Sequence, residues 1–224
     1  MALSRPGGRR RATPPTLIVL VRHGTTTTTG KEMPGRAPGL HLSDAGEQQA
    51  KAAAARLTAL HDGKKRQVSA VYASPLERTR ETAAPIAEAV GLEVQIDEGL
   101  LELDIGEWTG MELAVAFKKP EWKTIQRYPS GFRFPGGESF ADMQARMVTT
   151  LERLRHAHPG GTVIAVSHAD PIRVAVAHAL GTHLDLFQRI VVAPCSLTAV
   201  LYGDDGPTVL TVNSTDDSRA FVPQ

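Results

Sequence analysis

Residues 17–29 read LIVLVRHGTTTTT: an apolar run, then Arg22-His23-Gly24, then five threonines. The run through Arg22 has the length and branched character of a buried strand. A strand that ends in Arg-His-Gly and opens into hydroxyls sets phosphate-seeking groups at a sheet edge. Arginine presents a planar fork of donors matched to phosphate oxygens. A neutral imidazole is a competent nucleophile near pH 7. The glycine admits a ligand where a Cβ would otherwise stand. The triplet alone is a weak signal, and its weight comes from the segments downstream.

Those segments alternate between helix and strand patterns. Residues 43–60, rich in Ala and Gln, read as a helix capped by Ser43. Residues 68–73 read as a second strand. In SPLERTRETAAPIAEAVG, residues 74–91, Ser74 is the expected N-cap, Pro75 the first helical position and Glu77 the partner in a capping box. Gly91 is placed to end that helix, and Pro85 predicts a kink or break within it. A strand over 94–96, a helix over 138–158, a strand over 162–167 and a helix running to Leu180 follow. Strands over 190–202 and 208–212 then flank the turn Gly203-Asp204-Asp205-Gly206. The alternation predicts an α/β chain, a three-layer α/β/α sandwich on a mostly parallel sheet that the last hairpin makes mixed. Residues 109–137 break the rhythm with Pro120, Pro129, Pro135 and aromatics from Phe117 to Phe134, and read as an insert over the active site.

Functional groups in such sheets gather at the C-terminal ends of strands. Four segments present one relevant group or pair each at such a point: Arg22-His23, Arg78, Glu102 and His168. Two arginines to neutralise oxygens, a histidine to attack and a carboxyl group to protonate the departing oxygen are the minimum for moving a phosphoryl group through phosphohistidine.

On these residues the chain resembles the histidine phosphatase superfamily, which includes phosphoglycerate mutases and many small-molecule phosphatases. The matching segments are VRHG, SPLERTRETA, LLELDIGEWTG, PGGES and VSHADPIR, in the family's order, and they span nearly the whole chain from about Thr16 to Val212. The resemblance implies the same sandwich fold and a metal-independent phosphatase of a small phosphate monoester, with no cofactor. It implies that His23 is the residue phosphorylated, that Arg22, Arg78 and His168 hold the phosphoryl oxygens, and that Glu102 is the proton donor. Thr26 and Thr29 stand where the family places further phosphate contacts. The chain departs from the pattern at Thr25, where Glu or Gln is usual, at Thr29, where Asn is usual, and at Ala169, where Gly is usual; retuned specificity is expected. A phosphoglycerate mutase-type phosphomutase is the alternative, although the stretch from Glu102 to His168 is short for one. A non-catalytic phosphate-binding module is a further alternative.

Glu102 faces opposing influences. Burial raises its pKa and the two arginines lower it. A unit negative charge from bound phosphate at ~4 Å, with effective ε of ~20, contributes ~4 kcal/mol, or about three pKa units. Protonation of Glu102 is therefore expected to arrive with the substrate. Asp104 is the second-choice acid; Glu107 and Arg80 read as surface or structural. In the insert, Lys118 and Lys119 read as a solvated face. Arg133, between Phe132 and Phe134, is the candidate contact for an anionic substrate tail.

Several classes are set aside. GTTTTTGK has one residue too many for a P-loop, and Glu32 stands where a magnesium-binding hydroxyl is needed. The remaining histidines lack metal-ligand spacing, so no metal is expected. Four arginines fall in residues 1–15; removing them from the net charge of +1 leaves the rest at −3, which argues against a nucleic-acid partner. That stretch reads as a disordered basic tail, with residues 16–224 as the catalytic domain. No apolar signal region follows the arginines and no run approaches a membrane span, so a cytoplasmic protein is expected. Cys195, the sole cysteine, excludes an internal disulfide and reads as packing.

Overall fold

The computed structural model describes residues 13–61 and 67–215. In chain order these form β1 (Thr16–Arg22), β2 (Glu32–Met33), α1 (Asp44–Leu57), β3 (Val68–Ala73), α2 (Glu77–Ala89), β4 (Val94–Ile96), β5 (Met111–Glu112), α3 (Leu113–Ala116), α4 (Trp122–Arg127), α5 (Phe140–Ala157), β6 (Thr162–Ser167), α6 (Ala169–Ala179), β7 (Leu197–Gly203) and β8 (Gly206–Ser214). Six strands build the main sheet in the order β4-β3-β6-β1-β7-β8. The pairs β1–β6, β3–β6 and β3–β4 are parallel, and β1–β7 and β7–β8 antiparallel.

Side-chain alternation divides the core between the two faces of this sheet. Val19, Val21, Ile164 and Val166 pack toward α1 and α2. Ile18, Leu20, Val163 and Ala165 pack toward α5 and α6. Strands covered on both faces must be apolar throughout, which is why β1 and β6 read as unbroken hydrophobic runs. The expected sandwich is the one found. The basic tail over residues 1–12 lies outside the described residues. Residues 13–15 are docked: the Thr13 N–H donates to Asp204 and Pro14 O accepts from Gly160 N–H.

Two segments differ from the sequence reading, and both differences serve the site. α2 starts at Glu77 behind Leu76, with no side-chain cap, because the Ser74 hydroxyl is directed to His168 instead. Pro85 lies inside α2, which runs on to Ala89. Residues 190–196 are not strand. Cys195 takes φ of +54°, the chain turns at Pro194, and β7 begins only at Leu197. That turn carries Val192 O to the Arg22 guanidinium. Residues 109–137 form short pieces, with β5 pairing β2 in a separate two-stranded ribbon.

α1 is fixed hard against the loop after β1. Ser43 caps it, accepting from Gly46 N–H, and Thr25 N–H and hydroxyl both donate to Gln49 Oε1. A Cβ on Gly46 would stand 2.1 Å from Thr25 O, and one on Gly24 would stand 2.6 Å from Gly46 O. Backbone on backbone leaves no side chain to yield. Gly46→Ala is expected to lower unfolding stability by ~1–3 kcal/mol, read by urea denaturation, and to depress activity in parallel as the loop is displaced.

Candidate active site

The strand ends bring the sequence-predicted groups together. Arg22 closes β1 and His23 follows it, Ser74 follows β3, and His168 follows β6 as the residue that caps α6. Glu102 lies on the loop after β4. The His23 and His168 rings meet edge-on, with centroids 5.2 Å apart.

His23 is buried, and its Nδ1 lies 2.7 Å from Gly24 O. A carbonyl only accepts, so Nδ1 carries the hydrogen and the Nε2 lone pair is left for a ligand. Burial, reinforced by the charges of Arg22 and Arg78, lowers its pKa to about 3, so the ring is neutral and nucleophilic at physiological pH. His168 is also kept neutral, first by burial and then by Arg78. Its Nε2 lies 2.9 Å from Ser74 Oγ, which Leu76 N–H approaches at 3.5 Å. With the serine hydrogen directed to Nε2, the ring hydrogen falls on Nδ1. That atom is buried and without a partner, 4.0 Å from Glu102 Oε2.

Arg78 is 0% exposed. Its one hydrogen bond runs from Nη2 to Gly35 O at 2.8 Å, and Nε and Nη1 have no partner. Arg22 donates from Nη1 to Val192 O at 2.7 Å, and its Nε is unpartnered. Burial lowers both arginines from their ordinary value without removing their charge at neutral pH. Buried donors without acceptors, at two cations and a neutral imidazole, are the features of a site awaiting a tetrahedral anion.

Glu102 is held by its backbone. Arg36 Nε and Arg146 Nη2 donate to its carbonyl oxygen at 2.8 and 3.3 Å, and both arginines are clamped by Glu138 of the PGGES segment. Its side chain accepts only from Leu103 N–H. Burial first, and then the nearby Asp170, push its pKa up to about 7 against the pull of Leu103 N–H and the arginines. Burial and Asp170 thus favour the acid form of Glu102 without any ligand, an influence beyond the substrate charge that the sequence reading counted. Asp170, in the first turn of α6, is the charge that the sequence reading did not count. Asp104 is engaged otherwise, accepting from Gly106 N–H and facing Arg36.

The threonine loop is self-bonded. Thr26 N–H donates to Thr29 Oγ1, and the Thr26 and Thr29 hydroxyls lie 3.0 Å apart. Arg133 is 60% exposed at its side chain, bonded to Asp142 and to Gly137 O. Ala169 borders a cavity of about 350 Å³ lined also by Gly35, Glu102, Trp122 and Phe134. Arg133 does not line it.

Residues 18–215 match the family described as the histidine phosphatase superfamily, branch 1. The chain belongs to this superfamily. Among curated relatives, a bifunctional protein of Mycobacterium tuberculosis is 34% identical over 200 residues, covering 88% of this chain and 53% of that protein. The chain thus spans about half the length of that relative. Phosphoserine phosphatase 1 of Hydrogenobacter thermophilus is 33% identical over 184 residues, covering 78% of this chain and 81% of that one. Among solved structures, a mycobacterial glucosyl-3-phosphoglycerate phosphatase superposes with a TM-score of 0.77 at 27% identity, covering 92% of this chain and 100% of its own.

The superfamily motifs explain why the five main groups were found and Ser74 was not: its position before a helix reads as a cap, and nothing local in the sequence points to His168. Ser74→Ala is expected to lower kcat at least about tenfold on a phosphate ester, by freeing the His168 tautomer, with little change in unfolding midpoint. Inorganic phosphate is expected to raise the unfolding temperature, by the equivalent of ~2.7 kcal/mol at a hundred times its Kd. Arg78→Met should abolish that rise without destabilising the ligand-free protein; differential scanning calorimetry reads both.

Proposed function

We propose that the chain is a metal-independent phosphatase that hydrolyses a small phosphate monoester through a phosphohistidine on His23. The observation that carries this reading is the neutral, buried His23, its Nε2 lone pair left free, beside two buried arginines that keep unpartnered N–H groups. His23 Nε2 attacks phosphorus, the N–P bond forms as the P–O bond to the leaving group breaks, and Glu102 gives its proton to the departing oxygen. Water then attacks phosphorus, its proton passes to Glu102, the N–P bond breaks and phosphate leaves. Arg22, Arg78 and the His168 Nδ1–H hold the phosphoryl oxygens throughout, supplying the positive charge that a metal would otherwise provide. Thr26, Thr29 and the Ala169 N–H complete the cradle. A cytoplasmic setting accords with the lone buried Cys195, whose thiol burial pushes up to about 12. Among the described residues no helix is long and apolar enough to cross a membrane.

The test is turnover of phosphate esters in EDTA, with rapid quench to trap labelled enzyme. Acid-labile, base-stable label that vanishes in His23→Ala supports the reading. Exchange of phosphoglycerate isomers without phosphate release would replace it with a mutase, and neither activity would leave a binding module. Glu102 also sets a pH dependence. Its acid form predominates below about 7, so kcat/KM is expected to fall as pH rises through that value. Bound phosphate adds negative charge, so the kcat limb should fall at higher pH, and Glu102→Gln should lose both limbs.

A further inference from the structure

The cavity beside Glu102 is where the leaving group must lie, since the acid on its wall has to reach the departing oxygen. We propose that this cavity selects phosphate monoesters with an uncharged, apolar, ring-sized alcohol, and selects against esters whose alcohol carries a carboxylate; this rests on the hydrolase reading above. Its walls are Leu113, Trp122, Ile125 and Phe134 from the insert, with Ile105 and Phe140. The charges in the lining are Glu102, Asp170 and Arg173. Arg173 is already engaged: Nη1 donates to Asp170 Oδ1 at 2.9 Å and Nε to Ile190 O at 2.9 Å. The one cation in the lining is therefore already paired with an acid of the same lining.

Of the cations around it, Arg127 and Arg189 lie outside the lining, in an adjoining pocket beyond Gln126 and Gln188. Arg36 and Arg146 close on Glu138, and Arg133 turns to Asp142. Gln188 lines the cavity but donates its amide to Ile125 O, which leaves Gln126 on the rim as the amide facing a ligand. A carboxylate placed here would be desolvated among aromatic and aliphatic groups beside two acids, and would have to compete with Asp170 for Arg173. An apolar group would gain by burial. The volume of about 350 Å³ is more than twice that of a cavity of roughly 150 Å³ that takes benzene, so a bicyclic ring fits.

The test uses alkyl esters, so that leaving-group acidity does not account for the outcome. The purified full chain is assayed on 2-(1-naphthyl)ethyl phosphate, ethyl phosphate and O-phosphoserine, and binding of 2-(1-naphthyl)ethylphosphonate and ethylphosphonate is measured by calorimetry. The naphthylethyl ester is expected to exceed phosphoserine in kcat/KM by at least about a hundredfold. Trp122→Ala should lower the naphthylethyl-to-ethyl ratio about tenfold. Gln126→Arg, an exposed substitution, should raise kcat/KM for phosphoserine about tenfold by supplying a further cation. Equal or greater turnover of phosphoserine by the unaltered chain overturns the proposal. So does a naphthylethylphosphonate that binds no more tightly than ethylphosphonate. If no ester is hydrolysed while the naphthyl phosphonate binds preferentially, the hydrolase reading fails and the apolar subsite stands.

Discussion

Everything at this site depends on two guanidinium groups being buried without carboxylate partners. Removing a cation from water is costly, and proteins ordinarily meet that cost with an opposing charge. Here Arg22 and Arg78 are held by main-chain carbonyls, Val192 O and Gly35 O. A carbonyl dipole orients a guanidinium without neutralising it, so the full charge is kept for a ligand. The fold is shaped to deliver those two oxygens. Gly35 has φ of +50°, and a Cβ there would stand 2.7 Å from Ile105 Cγ1, so only glycine brings its carbonyl down onto Arg78. The irregular turn at Pro194 and Cys195 does the same for Arg22 from the opposite side.

The same two charges act, after burial, on the protonation of their neighbours. They help depress both imidazoles, which keeps His23 unprotonated and His168 available as a neutral donor. They also pull on Glu102, which would leave it a carboxylate and useless as an acid. Burial and Asp170 oppose that pull. In the proposed reaction, a nucleophile that must be deprotonated and an acid that must be protonated thus coexist at one pH because their environments push in opposite directions. Glu138 contributes at one remove: by gathering Arg36 and Arg146 it fixes the Glu102 main chain and keeps those cations occupied away from the carboxyl group.

β1 and β6 were legible because burial on both faces writes itself as an apolar run, and β3 and β4 also fall where their patterns place them. Arg22, His23, Arg78, Glu102 and His168 were legible because they stand within motifs at strand ends. What escaped the sequence reading has a common physical cause. Main-chain carbonyls, such as those of Gly35 and Val192, accept hydrogen bonds whatever residue carries them. Ser74 was visible but assigned to the helix it precedes, since a cap and a buried bond to a distant histidine look alike in sequence. Arg133 was read as reaching a substrate tail, but a residue nine positions on, Asp142, takes its charge.

The departures from the family pattern fall where the structure can absorb them. Thr25 uses both its amide and its hydroxyl on Gln49 of α1, so the loop after His23 is anchored to a helix by a side chain that a longer acid would displace. Ala169 keeps the amide at the start of α6, adding a methyl only on the side of the apolar cavity. Neither change alters the charges around His23. The sheet edge thus holds the phosphoryl chemistry constant while the insert over residues 109–137 and the first turn of α6 shape the neighbouring cavity. On the proposed reading, chemistry and selectivity reside on different elements that meet at Glu102. Substitutions in the insert can then exchange one leaving group for another without disturbing the two buried cations on which the reaction depends.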